Sequence, residues 1–252
     1  MKRLLLAAVT AACTLSMGIS TSFAQDGPPQ FQPVEMWVCQ FNDGKDQGDM
    51  DNVYEDLVEE TGDSAYAAFQ LNAYFRVNQE FDFIYLGAWA DGSTMGSGIG
   101  ADMAGDSDSS EGWDETVTCP ASLMYASTWI NPPGDSGGPE DFILTIADCN
   151  VAHGSSNGQA IGALQRYSDY AKANGSDVAT AVWFPAFGGG NTEFDFKVAN
   201  VYSGPQHFGD SMQWFTENQA YIARGNITEG IVSCDSPRVY SGSTIMNNLQ
   251  PN

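Results

Sequence analysis

Hydrophobic residues occur along this chain either in short strand-like runs or at helical spacing, and these two patterns alternate in the same order in each half. Runs rich in aromatic and β-branched residues, typical of strands, cover 34–41, 66–75, 81–90 and about 115–125, then 142–149, 178–187 and 194–203. Helical spacing separates these runs, at Met50, Val53, Leu57 and Val58; Met95, Ile99 and Met103; Ile161, Leu164, Tyr167 and Ala171; and Phe208, Met212, Phe215, Gln219 and Ile222. Each half therefore predicts the order β-α-β-β-α-β, with a short or frayed helix in the glycine-rich, acidic segment 95–110.

Nearly the same hexapeptide occurs twice, as NQEFDF at 78–83 and NTEFDF at 191–196. The segments TVTCPASLMYAS and GIVSCDSPRVYSG also correspond, which aligns Cys119 with Cys234, and Cys39 aligns with Cys149. The sequence therefore predicts a tandem duplication, in which each hexapeptide places two phenylalanines in the core and an acid at the start of a strand. The Pro/Gly-rich segment NPPGDSGGPED at 131–141 predicts a linker between a first repeat, 25–130, and a second repeat, 142–252.

The element order of each half is that of the ferredoxin-like split β-α-β motif, whose first and last strands lie side by side and antiparallel. Four cysteines lie after the N-terminal leader, and four cysteines allow three disulfide pairings from sequence alone. Cys39 lies late in its first strand and Cys119 early in its last strand, and antiparallel neighbours bring such positions together. We therefore expect disulfides Cys39–Cys119 and Cys149–Cys234, each within one repeat.

Two such units in tandem resemble a fused pseudo-dimer of the dimeric α/β-barrel superfamily. The resemblance covers residues 34–245 or so and rests on topology and duplication, without a diagnostic motif. It implies an α+β fold of two tandem ferredoxin-like repeats packed as a pseudo-dimeric α/β barrel, and a chain that is monomeric. The superfamily includes quinone-forming monooxygenases, small stress-response barrels and haem proteins of the chlorite dismutase type, so the fold alone selects no function.

The N-terminus has the pattern of a secretory signal peptide at 1–24. Lys2 and Arg3 precede an apolar run that closes with the small-x-small sequence Ser22-Phe23-Ala24. Serine and threonine interrupt this run, which is too short for a transmembrane anchor. We expect an exported protein, periplasmic or extracellular in a bacterium, and lipidation at Cys13 is the alternative.

The chain is strongly acidic, with 32 acidic residues against 9 basic ones and a formal net charge of −23. Such a surface repels nucleic acid and anionic membranes, so neither is expected as a partner. The acidic runs 43–51 and 102–110 lack the ligand spacing of an EF-hand loop. We expect solvated loops and no metal site there, although calcium binding stays open.

Candidate catalytic groups are few. The chain has 2 histidines, His153 and His207, which we place in loops, with His207 just before a helix. A haem protein resembling this fold needs an axial histidine on a helix, so we expect no haem and no other cofactor. The GDSGG sequence at 134–138 resembles a serine-protease signature, but it lies in the predicted linker and lacks the partners of a triad.

Aromatic residues alternate along two of the predicted strands, at Phe81, Phe83, Tyr85 and Trp89, and at Phe194, Phe196 and Tyr202. This pattern predicts either the buried face of a sheet or an aromatic-lined cavity between the repeats. The residues expected to bind a ligand at the mouth of such a cavity are Trp89, Asn200, Tyr202 and His207, with the site assigned to the second repeat.

The main function expected is that of a secreted acidic binding or accessory protein, which holds a small molecule in the cleft between its repeats. The alternatives are a cofactor-free, oxygenase-like enzyme of the dimeric α/β-barrel type and a cell-surface interaction protein. The sequence identifies neither the ligand nor a catalytic residue.

Overall fold

The computed structural model describes residues 31–62, 64–75, 80–104, 108–134 and 140–249. The predicted signal peptide, with Cys13, and residues 135–139 of the predicted linker lie outside these ranges. Within them, no helix is both long and apolar enough to cross a membrane.

The described ranges contain nine strands and six helices. In chain order they are β1 (Gln32–Phe41), α1 (Gln47–Thr61), β2 (Tyr66–Phe75), β3 (Phe83–Trp89), α2 (Gly92–Ala104), α3 (Asp108–Thr116), β4 (Val117–Asn131), β5 (Asp141–Val151), α4 (Asn157–Ala173), β6 (Ala179–Phe187), β7 (Phe196–Tyr202), α5 (Pro205–Glu217), α6 (Ala220–Thr228), β8 (Val232–Cys234) and β9 (Arg238–Asn247).

Eight of the strands close into a barrel in the order β7-β6-β4-β1-β3-β2-β9-β5, and β5 pairs back to β7. The pairing is antiparallel throughout, and the short strand β8 also pairs with β5. The first and last strands of each half are neighbours, β1 with β4 and β5 with β9. The two halves join through β4–β6 and β2–β9, so the chain forms one mixed α+β barrel.

Side chains from both halves fill the inside of the barrel. The buried core there consists of Val34, Met36, Leu71, Phe81, Ile84, Leu86, Tyr125, Phe142, Leu144, Ile146, Ala181, Trp183, Ala199 and Tyr240. Burial of apolar surface is the main favourable term in folding, and this core draws it from every barrel strand. The same packing occupies the space in which the cleft between the repeats was expected.

Helices cover the outer face of the barrel. Two of them, α1 and α4, begin at capping boxes. The side chains of Asp46 and Ser156 accept backbone N–H groups of the first turn, and the side chain three residues later accepts the backbone N–H of the capping residue. Helix α1 buries Met50 and Val53 against the first half of the sheet, and α4 buries Leu164 against the second half. Between sheet and helices lie two further apolar layers.

Three expectations about the elements are wrong. After its third strand, each half has two helices where one was predicted: α2 and α3 in the first half, and α5 and α6 in the second. The stripe that begins at Phe208 breaks at Gln219, which has a φ of 50° in the left-handed region. Strand β4 runs on to Asn131 because its second part pairs with β6.

The two hexapeptides make the same contacts in their two halves. Asp82 Oδ2 accepts the backbone N–H of Phe41 at 2.8 Å, and Asp195 Oδ2 accepts that of Val151 at 2.8 Å. These carboxylates bond the ends of β1 and β5, while Phe83 and Phe196 are fully buried beneath the helices. The first phenylalanine of each hexapeptide does not share that face: Phe81 and Phe194 pack against the barrel core.

The cysteines of the described residues form two disulfides, Cys39–Cys119 and Cys149–Cys234, the pairs expected from the sequence. They link residues 80 and 85 positions apart along the chain, each within one half. Disulfides of this kind indicate an oxidising, exported compartment.

Candidate functional site

A carboxylic acid and two tyrosines meet on the outer face of the first half. Glu35, Tyr66 and Tyr85 belong to β1, β2 and β3, which are neighbours in the sheet. Gly87 of β3 lies opposite Glu35 on one side and Ala68 on the other. A methyl group at Gly87 would collide with the Tyr66 hydroxyl and the Glu35 carboxylate. The missing side chain at this position is therefore what allows the acid and the tyrosine to meet.

Hydrogen bonds order this cluster. The Tyr66 hydroxyl donates to Glu35 Oε1 at 2.5 Å, and the indole N–H of Trp37 donates to Oε2 at 3.2 Å. The Tyr85 hydroxyl lies 2.7 Å from that of Tyr66. The one hydroxyl hydrogen of Tyr66 is used in its bond to Glu35, so the Tyr85 hydroxyl is the donor in the Tyr85–Tyr66 bond. The three groups therefore form one directed chain of hydrogen bonds.

Burial dominates the electrostatics of the cluster. It raises the pKa of Glu35 above its ordinary value, because the surroundings disfavour the charged form more than the bonds from Tyr66 and Trp37 favour it. Asp102 on α2 raises the Glu35 pKa further by repulsion. Burial also raises the pKa values of Tyr66 and Tyr85, and Glu35 adds to both effects. The cluster therefore has one carboxyl that takes up a proton easily and two hydroxyls that stay protonated.

Tryptophan rings enclose the chain of hydroxyls. Trp89 packs on Tyr66 with ring centroids 4.2 Å apart, and Trp113 meets Tyr85 edge-on at 5.0 Å. The Trp89 indole nitrogen is buried, and no group in the described part of the chain accepts its hydrogen. A buried donor without an acceptor is rare in folded proteins, and a ligand oxygen is one explanation for it.

Helix α2 lies above Trp89 and is weakly held. Four of its 13 residues are glycine, and none of its residues is buried. Gly98 is required at the contact, since a methyl group there would collide with the Trp89 ring. Interior glycines each cost a helix about 1 kcal/mol relative to alanine. The cover over the acid–tyrosine cluster is therefore the least stabilised helix of the first half.

An open groove of about 430 Å³ lies beside the cluster, between α1 and strands β2 and β9. Tyr54 and Gln70 separate it from the cluster: the Tyr54 hydroxyl donates to Gln70 Oε1 at 2.9 Å, and its ring stacks near Tyr85 at 6.5 Å. The remaining lining residues are Gln47, Asp51, Glu55, Val58, Ser243, Thr244 and Ile245.

The four residues predicted to bind a ligand are not brought together. Trp89 lies in the cluster described above, on β3, whereas Asn200 and Tyr202 lie on β7, four strands away around the barrel. Asn200 accepts from Thr180 Oγ1 at 2.9 Å and donates to Thr145 Oγ1 at 3.3 Å, so its amide is used within the sheet.

Sequence reasoning missed Glu35 and Tyr66. The available signal was Gly87, because a glycine inside a strand marks a place where another group approaches closely.

His207 does not precede its helix, as predicted, but lies in the first turn of α5. Its Nδ1 accepts the backbone N–H of Ser203 at 3.1 Å, and its buried Nε2 lies 2.9 Å from Asp177 Oδ1. The ring edge packs on Tyr202. Nδ1 is thus occupied, whereas Nε2 makes no hydrogen bond to a described residue but is buried beside Asp177, so iron could not reach either nitrogen unless neighbouring groups moved.

The other histidine, His153, is exposed in the loop after β5. The two histidines therefore do not fit a histidine-ligated haem, which is the group that a protein of the chlorite dismutase type would hold. The described residues also contain no group of three or more His, Cys, Asp or Glu side chains placed to hold a metal ion.

No protein-family model matches the sequence, and no curated protein matches it. Solved structures do match the fold. A proposed monooxygenase from Fusobacterium nucleatum subsp. nucleatum is 8% identical with a TM-score of 0.54, covering 86% of this chain and 93% of its own. A chlorite dismutase variant from Candidatus Nitrospira defluvii, in complex with cyanide, is 10% identical with a TM-score of 0.52, covering 87% and 93%.

A proposed chlorite dismutase is 9% identical with a TM-score of 0.50, covering 87% of this chain and 96% of its own. The resemblance to the dimeric α/β-barrel superfamily is thereby confirmed at the level of the fold. The main expectation for function, a secreted binding or accessory protein with a cleft between repeats, is wrong. The similar structures are of proposed monooxygenase and chlorite dismutase types, and the space in which that cleft was expected is filled by the packed barrel core.

Proposed function

We propose that this protein is a cofactor-free, oxygenase-like enzyme with its active site at Glu35, Tyr66, Tyr85 and Trp89. The observation that carries the proposal is the half-buried Glu35 carboxylate, bonded to the Tyr66 hydroxyl at 2.5 Å in the room that the missing side chain of Gly87 provides. Monooxygenase-type structures share the fold, which supports the class of reaction but identifies no residue.

Glu35 would act as the general base. Its pKa is raised by burial, and a base works best when its pKa lies near the working pH. Tyr66 orients the carboxylate. The Tyr85 hydroxyl, bonded to that of Tyr66, can replace a proton that Tyr66 passes on. Trp37 bonds the other carboxylate oxygen and fixes the plane of the group.

The substrate class that suits such a site is an aromatic compound with an acidic methylene between two rings. Glu35 takes one proton from the methylene carbon, and the carbanion adds to molecular oxygen to give a peroxide anion. That anion takes the proton back to become a hydroperoxide. Loss of water, which removes the second methylene hydrogen, leaves a carbonyl. The substrate supplies all electrons, so one oxygen atom ends in the carbonyl and the other in water.

The remaining groups of the cluster have matching roles. The unpaired indole N–H of Trp89 would donate to the peroxide oxygen, where negative charge develops. The tryptophan rings would stack on the substrate and exclude water. Entry of the substrate requires α2 to move. Its glycines and its lack of buried residues keep the free energy of that movement low.

Oxygen uptake tests this function. Purified, disulfide-intact protein is given anthrone as the probe, and the carbonyl product is followed by mass spectrometry with isotopically labelled oxygen. Glu35→Gln should reduce the rate by at least about 100-fold, the usual contribution of a general base. Glu59→Gln, at an exposed acid on α1, is the matched control. Full activity in Glu35→Gln, or no oxidation of anthrones by the wild-type protein, would overturn the assignment.

The tandem duplication is also our proposal. The equivalent bonds of Asp82 and Asp195, the capping boxes of α1 and α4, and one disulfide in each half support two ferredoxin-like repeats at 25–130 and 142–252. A monomer is expected, since the strands of the two halves already close the barrel within one chain. Light scattering during size-exclusion chromatography measures this. Cleavage of a signal peptide after Ala24 is tested by N-terminal sequencing of the exported protein.

A further inference from the structure

A second cluster of charges lies on the opposite side of the barrel. Asp148 of β5 faces Lys197 of β7 in register, and its Oδ1 lies 2.5 Å from Lys197 Nζ. The other carboxylate oxygen of Asp148 lies 3.1 Å from Arg238 Nη1 of β9, and Arg238 also pairs with Asp235 at 2.7 Å. One carboxylate is therefore shared between two cations.

The first half has apolar residues at the equivalent positions. Val38 and Ile84 pair in the register in which Asp148 and Lys197 pair in the second half. Leu123, opposite Met36, takes the place that Arg238 has opposite Ile146. Val38, Ile84 and Leu123 belong to the packed barrel core.

A buried ion pair is often no more stabilising than apolar residues of similar size. The barrel is built with apolar residues at these positions in one half, so stability alone does not explain the charged set in the other.

Lys197 is the most enclosed amino group of the described residues. Only 11% of its side chain is exposed, and its Nζ lies 4.0 Å above the centre of the Phe194 ring. Burial lowers the pKa of Lys197, although the bond to Asp148 opposes this effect. Lysines 45 and 172 provide a comparison within the chain: Lys45 has 32% of its side chain exposed, and Lys172 is exposed near the end of α4.

A pocket of about 380 Å³ lies on the far side of the groups that contact this amino group, which itself stands one contact back from the pocket wall. It is lined by Asp148, Phe194 and Arg238, which contact Lys197 or share its carboxylate, and by Asn150, Glu193, Ser233, Cys234 and Asp235. When Lys197 is neutral, the lining of the pocket has three acids, Asp148, Glu193 and Asp235, and one cation, Arg238. The pocket therefore disfavours anions and accepts a neutral ligand.

We propose that Lys197 binds a neutral aromatic aldehyde or ketone as a Schiff base. The neutral amine attacks the carbonyl carbon, and the C–O π electrons move to oxygen, which takes up the proton lost by nitrogen. Asp148, within reach of Nζ, carries that proton and a second one to the hydroxyl, which leaves as water. The products are an imine and one water, so no oxidant or reductant is needed. The Phe194 ring forms the wall on which an aromatic carbonyl compound stacks.

Reductive trapping with benzaldehyde and cyanoborohydride tests the proposal on the disulfide-intact wild-type protein. At about pH 7, peptide mapping should find Lys197 labelled at least about tenfold faster than Lys45 and Lys172, because more of it is neutral. The variant with Asp148→Val, Lys197→Ile and Arg238→Leu carries the residues of the first half. It should fold, keep the labelling rates of Lys45 and Lys172, and retain anthrone oxidation. Labelling of Lys197 no faster than that of the two exposed lysines would overturn the proposal, whether or not the oxygenase activity is found.

Discussion

Replacing Glu35 with glutamine tests the electrostatics of the candidate active site without requiring a substrate. The folded protein raises the pKa of Glu35 above its ordinary value of 4.5, so the folded state binds this proton more tightly than the unfolded chain. For an acid shifted in this direction, stability is greatest at low pH. It falls as the pH rises from about 4.5 towards the raised pKa, because only the unfolded state gives up the proton freely. Glutamine does not titrate, so the variant lacks this loss.

One group that titrates in only one state changes the free energy of unfolding by at most about 1.4 kcal/mol per pH unit. For a chain of this size that corresponds to roughly 3–6 °C in Tm per pH unit. The amide also loses the hydrogen bond from Trp37, which costs about 1 kcal/mol at every pH. The diagnostic quantity is therefore the change with pH in the difference between wild type and variant, and not the difference at one pH.

Urea unfolding followed by tryptophan fluorescence, repeated between about pH 4 and pH 8, gives this quantity. The stability of Glu35→Gln relative to wild type should rise with pH from about 4.5 until the raised pKa of Glu35 is reached, and should then level off. Glu59→Gln, on the exposed face of α1, should run parallel to wild type. A Glu35→Gln curve parallel to wild type would mean that Glu35 ionises as easily in the folded protein as in the unfolded chain, and the argument for a poised base would fail.

Three further predictions follow from the packing. Gly87→Ala should lower the free energy of unfolding by about 1–3 kcal/mol by overpacking the acid–tyrosine pair, whereas Gly96→Ala, at an open position on α2, should be neutral or stabilising; chemical denaturation compares them. Asp82→Ala and Asp195→Ala should each cost about 1–3 kcal/mol and agree closely, and unequal losses would contradict equivalent roles. Hydrogen exchange should show α2 opening before α4, and equal protection would contradict a loosely held cover.

Much of the fold was accessible from the sequence because strands leave a local signature. Alternation and aromatic content located seven strands of the barrel, and their order along each half came from the helical spacing that separates them. The disulfide pairs then followed from which strands are neighbours. The extra helices were missed because their boundaries depend on single residues such as Gln219, whose left-handed backbone has no strong sequence signal.

The candidate site was much less predictable. Its acid and tyrosine come from strands 31 residues apart in sequence, and their contact depends on register and on one missing side chain. A lone glutamate in an apolar strand is indistinguishable by pattern from a solvent-facing residue. The prediction instead favoured His207, because histidine is chemically conspicuous, yet its Nδ1 accepts the Ser203 N–H and its Nε2 is buried beside Asp177.

The equivalent positions of the two halves explain why the first half is the better candidate. Glu35 faces Gly87 in the register in which Thr145 faces Asn200. In the second half the Asn200 amide fills the space that Gly87 leaves open, and it is held by hydroxyls on both sides. Polar side chains on an apolar wall were the reason for placing the site in the second half, but there they satisfy one another. In the first half the glycine gives room for the Glu35–Tyr66 hydrogen bond, and the Tyr85 hydroxyl and the Trp89 ring pack beside it, with an indole N–H that no described residue accepts; these are the groups that the proposed reaction uses.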